Sequence, residues 1–442
     1  MNLRFLALCG LVSAVVLGSG CDSGRQAPGK TTVQVANAAA GFPSLTFKRE
    51  QETSNQAGLQ FKDAQSFVYD ADTYDFYVQE PTLTASDPGR TWTFTRTLEE
   101  KIHYTFVLTE AAGEVVPVVM TSPDPPVTNA QVLALHAATD LPAFDLYFER
   151  AGVGIAGATP RSTLNAGEQL APTTLPSGDY ELFVTAAGNP ADVWLTSTAF
   201  TLVDGSSSIF VVVDQKGLGT ARINVLALLQ GSSTVLLDRN APSQLRVING
   251  APDKLPRDVA VDSQFSPPLF SATAFAVQSP YAQTPVGTYT LNVTPPGNPG
   301  VLEIDTTTTG GVGQQTTMLF SSASGTLLPA YAADDGRRFN RVGTIRFMNA
   351  ASQFLAVNFT LTFPDGDPLA SLPVATLFTP GISSYTPLQP GEYDLYLLEG
   401  VNFTTLKGPT RINVAAGGIY SVLAIDGPDT ATADAIFLDD PL

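Results

Sequence analysis

The chain has 442 residues, of which 44% are hydrophobic and 14% charged, and its formal net charge at pH 7 is -18. At roughly 100–200 residues per domain, this length favours about three or four domains, and the apolar fraction is that of a globular protein. The acidic balance and the lack of a basic cluster argue against nucleic acid as a partner, because phosphates are bound by grouped lysines and arginines.

The first twenty residues have the layout of a secretory signal. One basic residue, Arg4, precedes an apolar run from Phe5 to Leu17. This run is shorter than a transmembrane helix requires. The segment from Leu17 to Cys21 resembles the lipobox of bacterial lipoproteins, which implies cleavage before Cys21 and acylation of that residue. The alternative is an ordinary cleaved signal with an incidental cysteine. Cleavage also removes Cys9, so no thiol remains for a disulfide or a metal site.

Residues 1–20 are therefore predicted to be the signal peptide, and residues 21–31 a short polar tether that is lipidated at Cys21. The predicted location is the bacterial cell envelope. The membrane is a partner through the lipid anchor, and the protein faces the periplasm or the cell exterior. The sequence leaves the choice of membrane open.

Two phrases recur in the same order along the rest of the chain. The first is an apolar strand with one polar residue, at Asn37, His136, Asn249 and Asn349. The second is a turn and a strand that opens with a tyrosine, at Tyr74, Tyr180, Tyr289 and Tyr393. In three copies a glycine precedes the tyrosine by two residues, at Gly178, Gly287 and Gly391, and the first copy has Asp72.

The spacing of these phrases indicates repeated domains. The polar residues lie 99, 113 and 100 residues apart, and the tyrosines follow them by 37, 44, 40 and 44 residues. A period near 100 residues is well above that of solenoids and propeller blades. The predicted domains after the tether are residues 32–128, which form a divergent copy, then 129–241, 242–338 and 339–442.

The residues within each repeat favour strands. Segments such as Ala143 to Phe148 and Ala356 to Thr362 alternate apolar and polar residues, which predicts strands with one buried and one solvent-exposed face. Six or seven short strands per repeat with glycine and proline turns are typical of a β-sandwich, and no stretch shows sustained helical periodicity. We predict an all-β protein of four tandem immunoglobulin-like antiparallel β-sandwich domains. Short linkers, such as Asp334 to Arg338, predict a fairly extended row.

A family resemblance follows from these phrases. A strand that ends in His/Asn-Ala-x-x-Asp, with Leu-Pro-x-Gly-x-Tyr some forty residues later, resembles the bacterial family called domain of unknown function 4397. The matching copies are His136 to Asp140 with Leu175 to Val184, and Asn249 to Asp253 with Thr284 to Val293. The resemblance implies an immunoglobulin-like sandwich in a secreted or surface-anchored bacterial protein. It implies no reaction.

The candidate chemical groups each have a structural interpretation. His136, with Asp140 and Asp145 nearby, has the composition of a base or a metal ligand. Asparagine stands at the same position in the other repeats and reproduces only the hydrogen bonding of imidazole. We therefore expect the residue to brace the loop after the first strand. The second histidine, His103, lies in a different repeat, and a Ser-His-Asp site is poorly supported.

Paired acids offer oxygen ligands for calcium between domains, although none has the spacing of a calcium loop. These pairs are Asp140/Asp145, Asp253/Asp258, Asp365/Asp367 and Asp439/Asp440. The single glycines before the strands indicate turns rather than a phosphate loop. The tyrosines are candidates for a sugar-binding platform, but a buried tyrosine corner accounts for them better, and Trp92 and Trp194 are core candidates.

The sequence thus predicts a non-catalytic cell-envelope lipoprotein that acts in adhesion, matrix attachment or structural spacing. It predicts no catalytic residue, no metal and no cofactor. The alternative is a glycan- or ligand-binding module, with an extracellular polysaccharide or an envelope protein as partner. A third and weaker alternative is a hydrolase whose site the sequence conceals.

Overall fold

The structure is a computed structural model that describes residues 29–50, 58–82, 89–123, 128–229 and 232–439. Its strands fall into four groups along the chain, which we call the first to fourth units. The predicted signal peptide, the lipidation site at Cys21 and most of the tether lie outside the described residues. Within the described part, no helix is long and apolar enough to cross a membrane.

The first unit contains β1 (Lys30–Asn37), β2 (Ser44–Arg49), β3 (Leu59–Gln60), β4 (Ala64–Asp70), β5 (Thr73–Gln79), β6 (Thr91–Thr97), β7 (Ile102–Ala111) and β8 (Glu114–Pro123). The second unit contains β9 (Ala130–His136), β10 (Phe144–Arg150), β11 (Ser162–Leu164), β12 (Gln169–Leu175), β13 (Gly178–Ala186), β14 (Asn189–Thr196), β15 (Phe200–Leu202), β16 (Ser207–Asp214), β17 (Ile223–Leu229) and β18 (Ser232–Leu236).

The third unit contains β19 (Ser243–Asn249), β20 (Arg257–Val261), β21 (Phe270–Thr273), β22 (Ala282–Thr284), β23 (Gly287–Thr294), β24 (Ile304–Gly310), β25 (Gln315–Ala323) and β26 (Thr326–Ala333). The fourth unit contains β27 (Gly343–Asn349), β28 (Ala356–Thr362), β29 (Ala375–Phe378), β30 (Gly381–Ile382), β31 (Thr386–Leu388), β32 (Gly391–Glu399), β33 (Thr405–Val414), β34 (Ile419–Asp426) and β35 (Ala433–Asp439). A single 3-10 turn, Pro368–Ala370, is the helical element of the described residues.

Each unit has two sheets. The sheet that holds the first strand, here called the inner sheet, has the orders β4-β1-β7-β8, β12-β9-β16-β17-β18, β22-β19-β25-β26 and β30-β27-β34-β35, with β31 also on β27. The other, the outer sheet, has the orders β3-β2-β5-β6, β11-β10-β13-β14 with β15 on β13, β21-β20-β23-β24 and β29-β28-β32-β33. These repeated, paired sheets confirm the prediction of an all-β fold built from sandwich-like units.

The inner sheets are mixed rather than purely antiparallel. The first strand of each unit pairs in parallel with a late strand, as β1 does with β7, β9 with β16, β19 with β25 and β27 with β34. A parallel pair requires a long crossover, and the outer sheet of each unit lies in that connection. Apolar side chains between the two sheets form one core per unit.

The first strands are buried on both faces of the inner sheets, which explains why they are nearly continuous apolar runs. In β9, Val132 and Ala134 belong to the core of the second unit. Leu133 and Leu135 point the other way, into a cluster shared with the first unit. A second shared cluster joins the inner sheets of the third and fourth units, where Ile248 meets Met348. Each pair of units is therefore a stack of four sheets.

The prediction of an extended row of domains is wrong, because the paired units are packed against each other through these shared apolar clusters. The prediction of one solvent-exposed face is also wrong for β10 and β28. In β28 the polar residues Asn358 and Thr360 are as buried as their apolar neighbours. The bounds of the predicted domains stay predictions.

Candidate functional site

The repeated asparagines are fully buried and hold the loop that follows each first strand. The amide oxygen of Asn249 accepts a hydrogen bond from the Ala251 nitrogen at 3.0 Å, and its Nδ2 donates to the carbonyls of Leu255 and Thr273. Asn37 and Asn349 repeat this arrangement. Each accepts from the backbone nitrogen two residues later and donates to a carbonyl of the outer sheet, at Leu59 and Leu377. The side chain replaces backbone partners that a tight loop lacks.

His136 lies at the same place with different contacts. Its Nε2 is 3.2 Å from the Pro142 carbonyl oxygen, and its ring lies 4.3 Å from the ring of Phe144. Burial lowers the pKa of this imidazole, outweighing its hydrogen bond and the nearby Glu168, so the neutral form is favoured. Asp140, one of its predicted neighbours, is instead in an ion pair with Lys216 at 3.0 Å.

The tyrosines of the second phrase have their hydroxyl groups turned back onto the preceding turn. Tyr74, Tyr180 and Tyr393 each donate to the carbonyl four residues earlier, at 3.1, 2.8 and 2.9 Å. Tyr289 is also buried. Burial raises the pKa of Tyr289 above its usual value, although a hydrogen bond to Thr284 opposes that effect.

The glycine before the tyrosine is required by its backbone conformation. Gly178, Gly287 and Gly391 have φ values of 132°, 102° and 156°. These values lie in the region that side chains other than glycine rarely adopt. At Gly178 an added Cβ would also lie 2.1 Å from Nη1 of Arg150, a guanidinium that covers the Tyr180 ring.

The paired acids serve loops and ion pairs within the described part of the chain. Asp145 accepts from the Gly188 nitrogen, and Asp258 accepts from Ala272 and Gly297. Among the described residues, no group of three or more His, Cys, Asp or Glu side chains is placed to hold a metal ion. The side chains of Asp439 and Asp440 lie outside the described part.

A polar junction joins the two four-sheet stacks. The carboxylate of Glu110 in the first unit accepts from Nζ of Lys216 in the second unit at 3.1 Å and from Nδ2 of Asn340 at 3.3 Å. Glu80 in the first unit accepts from Arg90 and Arg341. Burial would raise the pKa of Glu80, but these arginines outweigh burial and hold it below the usual value. The residues just before the fourth unit are thereby tied to the first unit.

Beside this junction, a cleft opens between the first and fourth units. Its larger part has a volume of about 400 Å³ and is lined by Pro43, Ser44, Gln60, Pro81, Asp335, Arg337, Phe339, Thr344, Tyr385 and Pro387. A neighbouring part of about 20 Å³ shares Pro43, Pro81 and Phe339 and includes Glu80, Arg90 and Arg341. The volume of the larger part lies in the range of small-molecule sites.

Two buried polar groups line the larger part of this cleft. Arg337 is 8% exposed and Thr344 is 3% exposed. Nη1 of Arg337 and Oγ1 of Thr344 have no hydrogen-bond partner among the residues that the structure describes. Lys62 lies close to Arg337, and burial together with that guanidinium lowers the pKa of the Lys62 ammonium to about 8, against the opposing effect of Asp335. The cleft therefore combines a local excess of positive charge with open hydrogen-bonding capacity.

Sequence reasoning missed this cleft because its walls come from residues more than 250 positions apart. It also missed a buried cluster between the third and fourth units. Arg246 and Arg346 each stand three residues before the repeated asparagine, a shared position that was visible in the sequence. Both guanidinium groups reach the carboxylate of Asp334, which belongs to a segment predicted to be a short linker.

Part of this chain matches a known protein family. Residues 243–360 match the family described as Domain of unknown function (DUF4397), which confirms the resemblance for the third unit and the first strands of the fourth. A search of curated proteins found no match.

Two solved structures have weak similarity to this chain. The Bacillus anthracis TIE protein is 10% identical, with a TM-score of 0.16, and the alignment covers 91% of this chain and 69% of that one. The pilus adhesin SpaC from Lactobacillus rhamnosus GG is 12% identical, with a TM-score of 0.15 and coverage of 94% and 57%. Such low scores carry no argument about function.

Proposed function

We propose that the protein is a non-catalytic envelope lipoprotein that attaches the cell surface to a molecule outside it. The observation that carries the proposal is the use of the repeated polar residues. Asn37, His136, Asn249 and Asn349 are all fully buried, and each bonds to nearby backbone. The strongest sequence motif thus maintains the fold and offers no reactive group to a substrate.

The packing of the units favours attachment over structural spacing. A spacer gains reach from domains arranged end to end, whereas here the inner sheets are packed face to face in pairs. The polar junction through Glu110 and Glu80 then links the two pairs. A compact arrangement of this kind offers a defined binding surface, but it does not extend far from the membrane.

The envelope location rests on the sequence before the described residues. The proposed lipid on Cys21 and a tether of about ten residues would keep the body near its membrane. Membrane fractionation of cells that express Cys21→Ser tests the anchor. The variant should move to the soluble fraction, and retention in the membrane fraction would contradict lipidation.

Attachment itself is tested with purified mature protein and isolated cell envelopes or extracellular matrix. We expect saturable retention that competes with unlabelled protein and no turnover of ester, peptide or glycoside substrates. Reproducible turnover that copurifies with the protein would overturn the non-catalytic proposal. A second candidate function, a ligand-binding module, is favoured by one specific observation, the cleft between the first and fourth units.

A further inference from the structure

The two polar groups in the cleft point to a ligand. Buried polar atoms in folded proteins are nearly always hydrogen-bonded, so each exception requires an explanation. Nη1 of Arg337 is a charged donor, and Oγ1 of Thr344 is a hydroxyl that can donate and accept. Neither has a hydrogen-bond partner within the described residues, and both side chains line the same cavity. A ligand with an acidic oxygen and a hydroxyl would satisfy both.

The Arg337 guanidinium is held in place by the groups around it. Its Nε and Nη2 donate to the Asp335 carboxylate at 2.9 and 2.7 Å. Its Cζ lies over the rings of Phe61 and Phe339, at 5.3 and 5.1 Å from their centroids. Because these contacts fix the guanidinium, Nη1 is positioned before a ligand arrives, which reduces the entropy lost on binding.

The charge of the cleft favours an acidic ligand. Three arginines and two carboxylates line its two parts, a positive excess in a chain whose net charge is -18. Glu80 and Asp335 are already engaged by arginine side chains. Carboxylates and phosphates are the anions that a guanidinium recognises, and here a single donor, Nη1 of Arg337, is open to one acceptor oxygen.

The walls of the cleft suit a sugar ring. Pro43, Pro81 and Pro387 provide flat apolar surfaces, and Ser44 and Gln60 supply hydroxyl and amide groups. Apolar walls with a few placed polar groups are the usual composition of a small-molecule site. A polysaccharide with uronic acid residues carries the hydroxyl groups, the C–H faces and the carboxylate that these residues match.

We propose that this cleft binds a carboxylate-bearing polysaccharide, with Arg337 donating to the carboxylate and Thr344 bonding to a sugar hydroxyl. The inference rests on the ligand-binding form of the proposed function and specifies its site and ligand class.

The test is isothermal titration of the mature protein with an oligogalacturonate and with the same oligomer after methyl esterification. Wild type should bind the acidic oligomer, and esterification should weaken binding about tenfold or more, because hydrogen bonds to charged groups are the stronger ones. Thr344→Val removes the hydroxyl at nearly constant volume. This variant should bind about three- to tenfold more weakly and keep a melting temperature at or above that of wild type.

Thr360→Val is the matched control, since Thr360 is also buried with a hydroxyl that has no partner in the described part, but it lies outside the cleft. It should bind like wild type. Gln60→Trp, at an exposed position on the cleft wall, should block binding without unfolding the protein.

Equal affinity for the acidic and esterified oligomers would overturn the inference, and so would wild-type affinity in both Thr344→Val and Gln60→Trp. An absence of binding by wild type at millimolar oligomer would also overturn it. Retention on isolated envelopes is measured separately, so the attachment proposal can stand while this inference fails.

Discussion

Arg246 and Arg346 occupy the same position in consecutive repeats, and their guanidinium groups meet at the carboxylate of Asp334 between the third and fourth units. Thr317 joins them by accepting from Nε of Arg246 at 2.7 Å and from Nη2 of Arg346 at 2.9 Å. The two arginines are 2% and 0% exposed. The carboxylate of Asp334 therefore lies between two buried cations and pairs with both.

Asp334→Asn should strongly destabilise the protein. The substitution removes the charge of a carboxylate that both buried guanidinium groups share, and breaking a buried ion pair typically costs about 3–5 kcal/mol. Urea unfolding followed by circular dichroism measures the loss, because both tryptophans, Trp92 and Trp194, lie in the first and second units. Asp365→Asn, on a side chain that is 95% exposed, is the control and should change little. Replacing all three charged residues together (Arg246→Met, Arg346→Met, Asp334→Leu) should recover most of the loss, whereas equal damage by the triple variant would contradict this explanation.

Tyr180→Phe should destabilise the second unit modestly. It removes the hydroxyl that donates to the Pro176 carbonyl at 2.8 Å, a net contribution of about 1 kcal/mol. Tyr331→Phe is the comparison, because the Tyr331 hydroxyl is buried and has no hydrogen-bond partner among the described residues. Thermal unfolding should show a lower midpoint for the first variant only. A drop of equal size in both would argue against the tyrosine corner.

His136→Asn should flatten the acid dependence of stability. Burial holds the pKa of His136 below its ordinary value of 6.5, so on acidification the unfolded chain takes up this proton before the folded chain does. Wild type therefore loses stability, relative to the variant, as pH falls below about 6.5 toward the folded pKa. Chemical denaturation at pH 7 and pH 5 tests this, and His103 is common to both proteins. Parallel loss in both proteins would contradict a buried neutral imidazole.

Lys62→Met should stabilise the protein at neutral pH and lose that advantage in alkali. The folded pKa of Lys62 is about 8, against 10.5 for the free side chain, so folding disfavours its charged form. As pH rises through 8 toward 10.5, the folded lysine is neutral while the unfolded one is still charged, and wild type gains stability. The difference in free energy of unfolding between Lys62→Met and wild type should decrease by roughly 2 kcal/mol from pH 7 to pH 9.5. A constant difference would show that Lys62 stays charged.

Local patterns revealed the units but not their arrangement. The positions of Asn249 and Tyr289 recur in each unit because Asn249 stabilises a loop and Tyr289 follows a turn. Local requirements of this kind recur at regular sequence intervals, so the sequence alone reveals them. The face of β9 that carries Leu133 is equally apolar, yet it packs on another unit, and periodicity does not distinguish one apolar neighbour from another. The sequence predicted a linker at Asp334 because nothing adjacent to it indicates a buried ion pair. Its arginine partners lie 88 residues before it and 12 residues after it.

The cleft escaped sequence analysis for the same physical reason. Its walls combine Ser44 of the first unit with Tyr385 of the fourth, and nothing local to either residue signals the other. The unpaired hydroxyl of Thr344 becomes informative only when its surroundings are known, since threonine in a strand is ordinary.

Small-angle X-ray scattering of the mature protein tests most directly whether the units form one compact body. A compact chain of this length has a radius of gyration of about 22–26 Å, which is the result we predict. Four domains in an extended row would give a value above about 40 Å, since each adds its own length. That larger value would contradict the paired stacks, the polar junction at Glu110 and the cleft together.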